Sequence, residues 1–228
     1  MIVLHHCVSA RSFRPLWMLE ELGASYALHM LPFPPRVWAR TYLEVNPLGT
    51  VPLLVDGDTR MTESAAMCQY LAERCDPQGA TGLAVRRDEA DYGMWLNWLH
   101  HGEATLTFPQ TLVLRYGRFE PPERRLPQAA DDYAKWFVSR LRGIEAALAD
   151  RDWLCAGRFT AADVSVGYAL MLAGHLALTE RFPPNVAAYW ARLQQREGYT
   201  RAMAAQAAAA IAQGVPVHAA SEPPSGVQ

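Results

Sequence analysis

The sequence predicts an α/β domain with a four-stranded mixed sheet and three helices, followed by an all-α helical-bundle domain. Three observations predict it. A β-α-β pattern and then a β-β-α pattern fill roughly the first third of the chain. The turn residues Cys75-Asp76-Pro77-Gln78-Gly79-Ala80 break that pattern, and from about Arg86 the apolar period is helical throughout. The boundaries this predicts are 1–76 for the α/β domain, 77–85 for a linker, 86–214 for the helical domain and 215–228 for a proline-rich disordered tail.

The elements follow in order. Residues 1 to 6 alternate as a strand and feed a helix that begins near Ser12, with Phe13, Leu16, Trp17 and Leu22 on one face. Gly23 ends that helix. Tyr26 to Leu31 reads as a second strand, parallel to the first through a right-handed crossover. Pro32, Pro34 and Pro35 make the next segment irregular, before a short helical pattern over Trp38 to Val45. Val51 to Val55 is a β-branched apolar run, Asp56-Gly57 a tight hairpin turn, and Thr59 to Met61 the returning strand. Thr62-Glu63-Ser64 then opens a helix carrying Met67, Tyr70 and Leu71. The layout is thioredoxin-like.

In the second half, Tyr92, Trp95, Leu96, Leu99 and Leu106 make one apolar stripe. Tyr133, Trp136, Phe137, Leu141, Ile144 and Leu148 make another, so an antiparallel helix pair is expected at the heart of the bundle. Phe159-Thr160-Ala161-Ala162-Asp163-Val164 combines a capping box with a hydrophobic staple. The helix it starts, Val164 to Leu178, is apolar nearly all round and should be buried; losing its cap should cost about 1 kcal/mol. Asn185 to Gln195 and Gly198 to Ala212 read as closing helices.

Composition excludes several classes. A net charge of −2 offers no excess to pair with phosphates, against a nucleic-acid or membrane-surface partner. Cys7, Cys68, Cys75 and Cys155 form no C-x-x-C and no metal-ligand spacing, and His5, His6, His100 and His101 add none, so no metal is expected. No apolar run is long enough to span a membrane and no basic flank marks a leader, which predicts a cytoplasmic protein with free thiols.

A helix start exposes unpaired N–H groups and partial positive charge, which attract a carboxylate at Ser64. Glu63 supplies the opposite sign for an ammonium. Val51, extended before Pro52, offers its own N–H and C=O to a peptide backbone. Together they suit a short peptide with a free α-amino acid end. The run N-P-x-G-x-V-P (Asn46 to Pro52), followed by E-S-x-A-M-x-x-Y-L (Glu63 to Leu71), resembles the glutathione-binding half of the cytosolic glutathione transferases. The capping box at Thr160 extends the resemblance into the helical half, to roughly residue 212.

The resemblance implies a glutathione transferase that activates glutathione, its co-substrate, as a thiolate for attack on a hydrophobic electrophile, in a detoxification role. Val51 and Pro52 would hold the cysteinyl backbone, and Glu63 and Ser64 the γ-glutamyl end. Arg36 or Arg40 is the option for the far carboxylate. It also implies a homodimer, with the Gln69 to Arg74 and Tyr92 to Leu106 helices near the two-fold. A second substrate would sit between the domains, with Trp98, His101, Phe108 and Tyr116 as candidate contacts.

The sulfur would point at residues 7 to 12. A thiol with pKa near ~8.5 is mostly protonated at neutral pH, so a donor that stabilises the thiolate is needed, and each unit gained is worth about 1.4 kcal/mol. Ser-Ala-Arg-Ser-Phe-Arg from Ser9 to Arg14 is similar to the zeta-class pattern, which places the catalytic serine on Ser9. Ser12 is the fallback, with a helix N-cap as its other role. Cys7 is the competitor: an exposed thiolate there would make a thiol oxidoreductase, although it continues the strand alternation of a buried residue. A glutathione-dependent isomerase or dehalogenase, and a non-enzymatic glutathione-binding module, are the remaining alternatives.

Overall fold

The computed structural model describes residues 1–221, and the chain divides into two compact units: Met1–Pro77 with the chain from Arg196 onward, and Gln78–Gln195. In the first unit, β1 (Ile2–His6), β2 (Tyr26–Met30), β3 (Leu53–Asp56) and β4 (Thr59–Met61) form one sheet in the order β2-β1-β3-β4. β1 pairs parallel with β2, Leu4 facing Leu28, and antiparallel with β3, Leu4 facing Leu54. The thioredoxin-like expectation holds. β3 starts at Leu53 and not at Val51, because Pro52 has no N–H to give to the ladder.

Helix α1 (Phe13–Leu22) buries Phe13, Leu16, Trp17, Met18 and Leu19 and ends at Gly23, whose φ of 59° is the left-handed conformation of a glycine stop. The single short helix expected over Trp38 to Val45 is two, α2 (Pro35–Trp38) and α3 (Tyr42–Val45). Helix α4 (Ser64–Cys75) buries Ala65, Met67, Cys68 and Leu71.

The last helix, α10 (Glu197–Ala212), departs from the sequence reading, which placed it in the helical domain; it clusters with the sheet. Side-chain pairing explains this. Arg196 grips the Glu21 carboxylate with Nε at 2.7 Å and Nη2 at 2.8 Å, and the Trp17 indole N–H donates to the same carboxylate at 2.9 Å. A Cβ at Gly198 would overlap the Glu21 side chain, so a larger residue there would have to displace the carboxylate that Arg196 and Trp17 hold. Gln213 closes the edge of the sheet: its Oε1 accepts from the Met30 N–H and its Nε2 donates to Leu28 O, both at 2.8 Å.

Part of the segment expected as a tail is described. Ala219, Ala220 and Ser221 are buried, and the Ala220 N–H donates to Val8 O at 2.7 Å. Residues 222–228 of that expectation lie outside the described residues.

The second unit is helical. α5 (Tyr92–His100), a π-helical stretch His101–Thr107, α6 (Phe108–Leu114) and a second π-helical stretch Arg115–Phe119 run on from one another. α7 (Pro127–Ala147), α8 (Ala161–His175) and α9 (Pro184–Gln194) follow. α5 starts at Tyr92, later than Arg86, because Glu89 holds turns there by accepting from the Arg86 N–H at 2.7 Å and from Arg158 Nη2 at 2.9 Å. Every residue from Ala161 to Ala173 is buried, as the all-round apolar pattern requires. Thr160 and Asp163 form the expected box: Asp163 Oδ2 accepts from the Thr160 N–H at 2.8 Å, and Thr160 Oγ1 accepts from the Ala162 N–H at 3.3 Å. Gly102 lets the first π-helical stretch touch α8, since a Cβ there would sit 2.5 Å from Ser165 Oγ and 2.6 Å from its backbone. Among the described residues no helix is long and apolar enough to cross a membrane.

Candidate active site

The junction from β1 into α1 carries the chemistry. Ser9 has a φ of 53°, a left-handed backbone that costs a side-chain-bearing residue about 1 kcal/mol or more and persists only where its surroundings impose it. Those surroundings are Gln206 of α10. Its Oε1 accepts from the Ser9 N–H at 2.9 Å and lies 3.0 Å from His6 Nε2, while its Nε2 donates to Ser9 Oγ at 3.3 Å. His6 is fully buried, and burial pulls its pKa down to about 4 although the Gln206 contact raises it. It is therefore neutral at neutral pH.

Cys7 and Ser12 have other duties. Cys7 is 1% exposed, and burial pushes its thiol far above the ordinary range, so it offers no thiolate. Ser12 has no exposed surface; its hydroxyl donates to Cys7 O at 3.4 Å and accepts from the Cys7 N–H at 3.3 Å. Ser12 stands at the N-cap position of α1 without a side-chain cap bond, its hydroxyl bracing the preceding loop instead.

The entry to β3 is built by Asn46. Its Oδ1 accepts from the Leu48 N–H at 3.2 Å and its Nδ2 donates to Thr50 O at 2.8 Å, folding Asn46-Pro47-Leu48-Gly49 into a turn. Gly49, at φ 60°, packs so closely that a Cβ would lie 2.8 Å from the Arg36 Cβ. The turn delivers Val51 and Pro52 through a cis peptide bond. Neither the N–H nor the C=O of Val51 is hydrogen-bonded among the described residues. Val51 packs against a core cluster that includes Cys7, Ala10 and Leu53.

At the start of α4, Glu63 is exposed and makes no ion pair among the described residues. Ser64 is 3% exposed, and its Oγ accepts from Arg14 Nη1 at 3.0 Å. One lone pair is thereby filled while the hydroxyl proton stays available, and the fully buried Arg14 guanidinium adds positive charge to the helix start. Arg36 and Arg40 are exposed on the segment after β2, with no side-chain partner among the described residues.

The four candidates for a second substrate do not form one group. Trp98 is 5% exposed and belongs to the core of its unit. His101 is half-buried with its ring edge-on to Trp98 at 5.0 Å; burial, and then Arg140, lower its pKa. Phe108 is exposed and meets Trp136 at 6.5 Å, and Tyr116 is half-buried under the Arg115 guanidinium at 5.6 Å. Among the described residues no group of three or more His, Cys, Asp or Glu is placed to hold a metal.

Gln206 is the residue that sequence reasoning missed. The one signal was a long polar side chain on the same face as Gly198, Ala202 and Ala210, at four-residue spacing. Fold and sheet order together define a thioredoxin-like protein. Residues 8–74 match the model of the N-terminal domain of glutathione S-transferases. Glutathione S-transferase GstA of Escherichia coli O157:H7 is 30% identical over 170 residues, covering 72% of this chain and 78% of that one. Glutathione S-transferase 3 of Schizosaccharomyces pombe is 36% identical over 109 residues, covering 46% of this chain and 43% of that one. The crystal structure of a glutathione transferase from Methylococcus capsulatus superposes with a TM-score of 0.76 at 26% identity, over 90% of this chain and 98% of that one. The chain belongs to the glutathione S-transferase family.

Proposed function

We propose that this chain is a glutathione transferase in which Ser9 stabilises the glutathione thiolate for attack on a hydrophobic electrophile. The observation that carries the reading is Ser9 itself: a strained residue whose hydroxyl accepts from Gln206 and whose proton no described residue accepts. A donor of that kind beside the start of α1 favours the charged form of a sulfur placed there. The thiol proton leaves to solvent, and the thiolate forms a carbon–sulfur bond with the electrophile, either expelling a leaving group with its electron pair or adding to an activated double bond that then takes up a proton from solvent.

The other contacts follow the chemistry of the tripeptide. The free N–H and C=O of Val51, held by Pro52, match the cysteinyl backbone. Glu63 takes the γ-glutamyl ammonium, and the Ser64 hydroxyl and amide take its carboxylate, with Arg14 behind them. Arg36 or Arg40 pairs with the far carboxylate. His101, Phe108 and Tyr116 remain the candidates for the second substrate. A homodimer and a cytoplasmic location are inferred from the family.

The burial of Cys7 argues against the oxidoreductase alternative. Replacing Cys7 by alanine should leave transferase activity in place, whereas an oxidoreductase would lose all of it. The decisive measurement is the ultraviolet titration of the thiolate of bound glutathione. In the wild type the thiol pKa should fall at least one unit below its value in free solution, and in Ser9→Ala it should return towards that value. Equal titration curves for the two proteins would sink the assignment.

A further inference from the structure

We propose that Gln206 is a positioning residue for thiolate formation: its side-chain amide, reaching from α10, turns the Ser9 hydroxyl proton towards the ligand. The inference rests on the reading of Ser9 above.

It follows from hydrogen-bond polarity. The Ser9 N–H can only donate, so the Gln206 atom 2.9 Å from it must be the oxygen. That orientation makes the other terminus the nitrogen, which faces Ser9 Oγ at 3.3 Å and can only donate to it. Ser9 is thereby compelled to accept on its inner side, and its own proton must point elsewhere. The amide cannot turn over, because its Nε2 would then confront the Ser9 N–H, donor against donor.

The rest of the network holds that orientation. His6 Nε2 lies 3.0 Å from the same oxygen, a contact that a neutral ring protonated on Nε2 satisfies, and His6 Nδ1 makes no hydrogen bond among the described residues. The second Nε2 proton of Gln206 points to Met203 Sδ at 3.3 Å. All four hydrogen-bonding positions of the amide are used, and Gln206 is 2% exposed. A buried amide among Gly198, Ala202 and Ala210 is expensive unless every position is satisfied. Its partners here converge on the backbone and hydroxyl of one residue, the strained Ser9.

Two substitutions separate this role from simple packing. Gln206→Glu keeps the shape and the acceptor for the Ser9 N–H, but puts an oxygen opposite Ser9 Oγ, so the serine proton is drawn inward. Gln206→Met removes the amide without introducing charge. Both are made also in the Ser9→Ala background, and the thiol pKa of bound glutathione, the KM for glutathione and kcat are measured on the full-length protein. Both single variants should raise the thiol pKa by about one unit, equivalent to about tenfold less thiolate at neutral pH, with KM for glutathione within about twofold of wild type. Neither should add to the pKa change of Ser9→Ala. A thiol pKa unchanged in Gln206→Met while Ser9→Ala raises it would overturn the role of Gln206 and leave that of Ser9 intact. An additive shift in the double variants would overturn it as well, since Gln206 would then not act through Ser9. If Ser9→Ala itself changes nothing, both readings fall. Should Gln206→Glu not fold, the charge-neutral Gln206→Met alone still decides.

Discussion

Ser9 in the first unit and Thr160 in the second are both buried hydroxyl residues ahead of a helix, yet their hydrogen-bonding states are opposite. Thr160 Oγ1 donates to Asp163 Oδ2 at 3.0 Å and accepts from the Ala162 N–H, so nothing is left over. Ser9 Oγ accepts from Gln206 and gives its proton to no described residue. The backbones differ in the same sense: Thr160 is extended at φ −138°, an ordinary N-cap, whereas Ser9 is held left-handed. A closed network around a hydroxyl stabilises the fold, and an open one in a strained loop leaves a proton to donate. Burial alone would not have told them apart.

The comparison breaks most visibly at Asp163. Its carboxylate accepts from the Leu154 N–H, the Thr160 N–H, Thr160 Oγ1 and the Tyr189 hydroxyl, so Asp163→Ala leaves four buried donors unpaired. At about 1 kcal/mol each, urea denaturation should show a loss of about 4 kcal/mol. A loss below about 1 kcal/mol would mean that the closed network is not structural. Ser9→Ala should do the reverse, lowering kcat/KM by about a hundredfold, the usual effect of removing one charge-stabilising donor, with little change in the urea midpoint.

A third test concerns acid. The folded-state pKa of His6, about 4, lies below the unfolded value of ~6.5, so the unfolded chain binds more protons between them. Stability attached to neutral His6 is complete above about pH 6.5 and drains away as the pH falls towards about 4, at up to about 1.4 kcal/mol per pH unit. His5, also lowered to about 4 but only partly buried, adds a weaker contribution of the same sign. Denaturation midpoints measured across that window should flatten in His6→Gln, which keeps a donor for Gln206; an unaltered slope would remove His6 from the account. The smallest effect is the most diagnostic of strain. Ser9→Gly should be inactive yet more stable by up to about 1 kcal/mol, because glycine adopts a positive φ without penalty. A destabilised Ser9→Gly would mean that the hydroxyl matters more to folding than its backbone does.

Much of this was legible in the chain, because it is local. Alternation marked β1, the Asp56-Gly57 turn marked the β3–β4 hairpin, and Thr160 with Asp163 marked the start of α8 within a span of three residues. Asn46 to Pro52 and Glu63 to Leu71 pointed to a peptide-binding corner for the same reason: caps, turns and proline act on their immediate neighbours. What the chain could not disclose is where long side chains find partners. The separations of 200 positions from His6 to Gln206, and of 50 from Arg14 to Ser64, carry no periodic trace of those contacts. Whether Ser9, Ser12 or Cys7 keeps a free donor, and which unit α10 joins, depend on packing and on the satisfaction of buried polar groups. The amino-acid order alone determined the elements and the kind of ligand they suit. Only the folded chain decided which hydroxyl was left unspent, because a hydrogen bond is counted in space and not along the sequence.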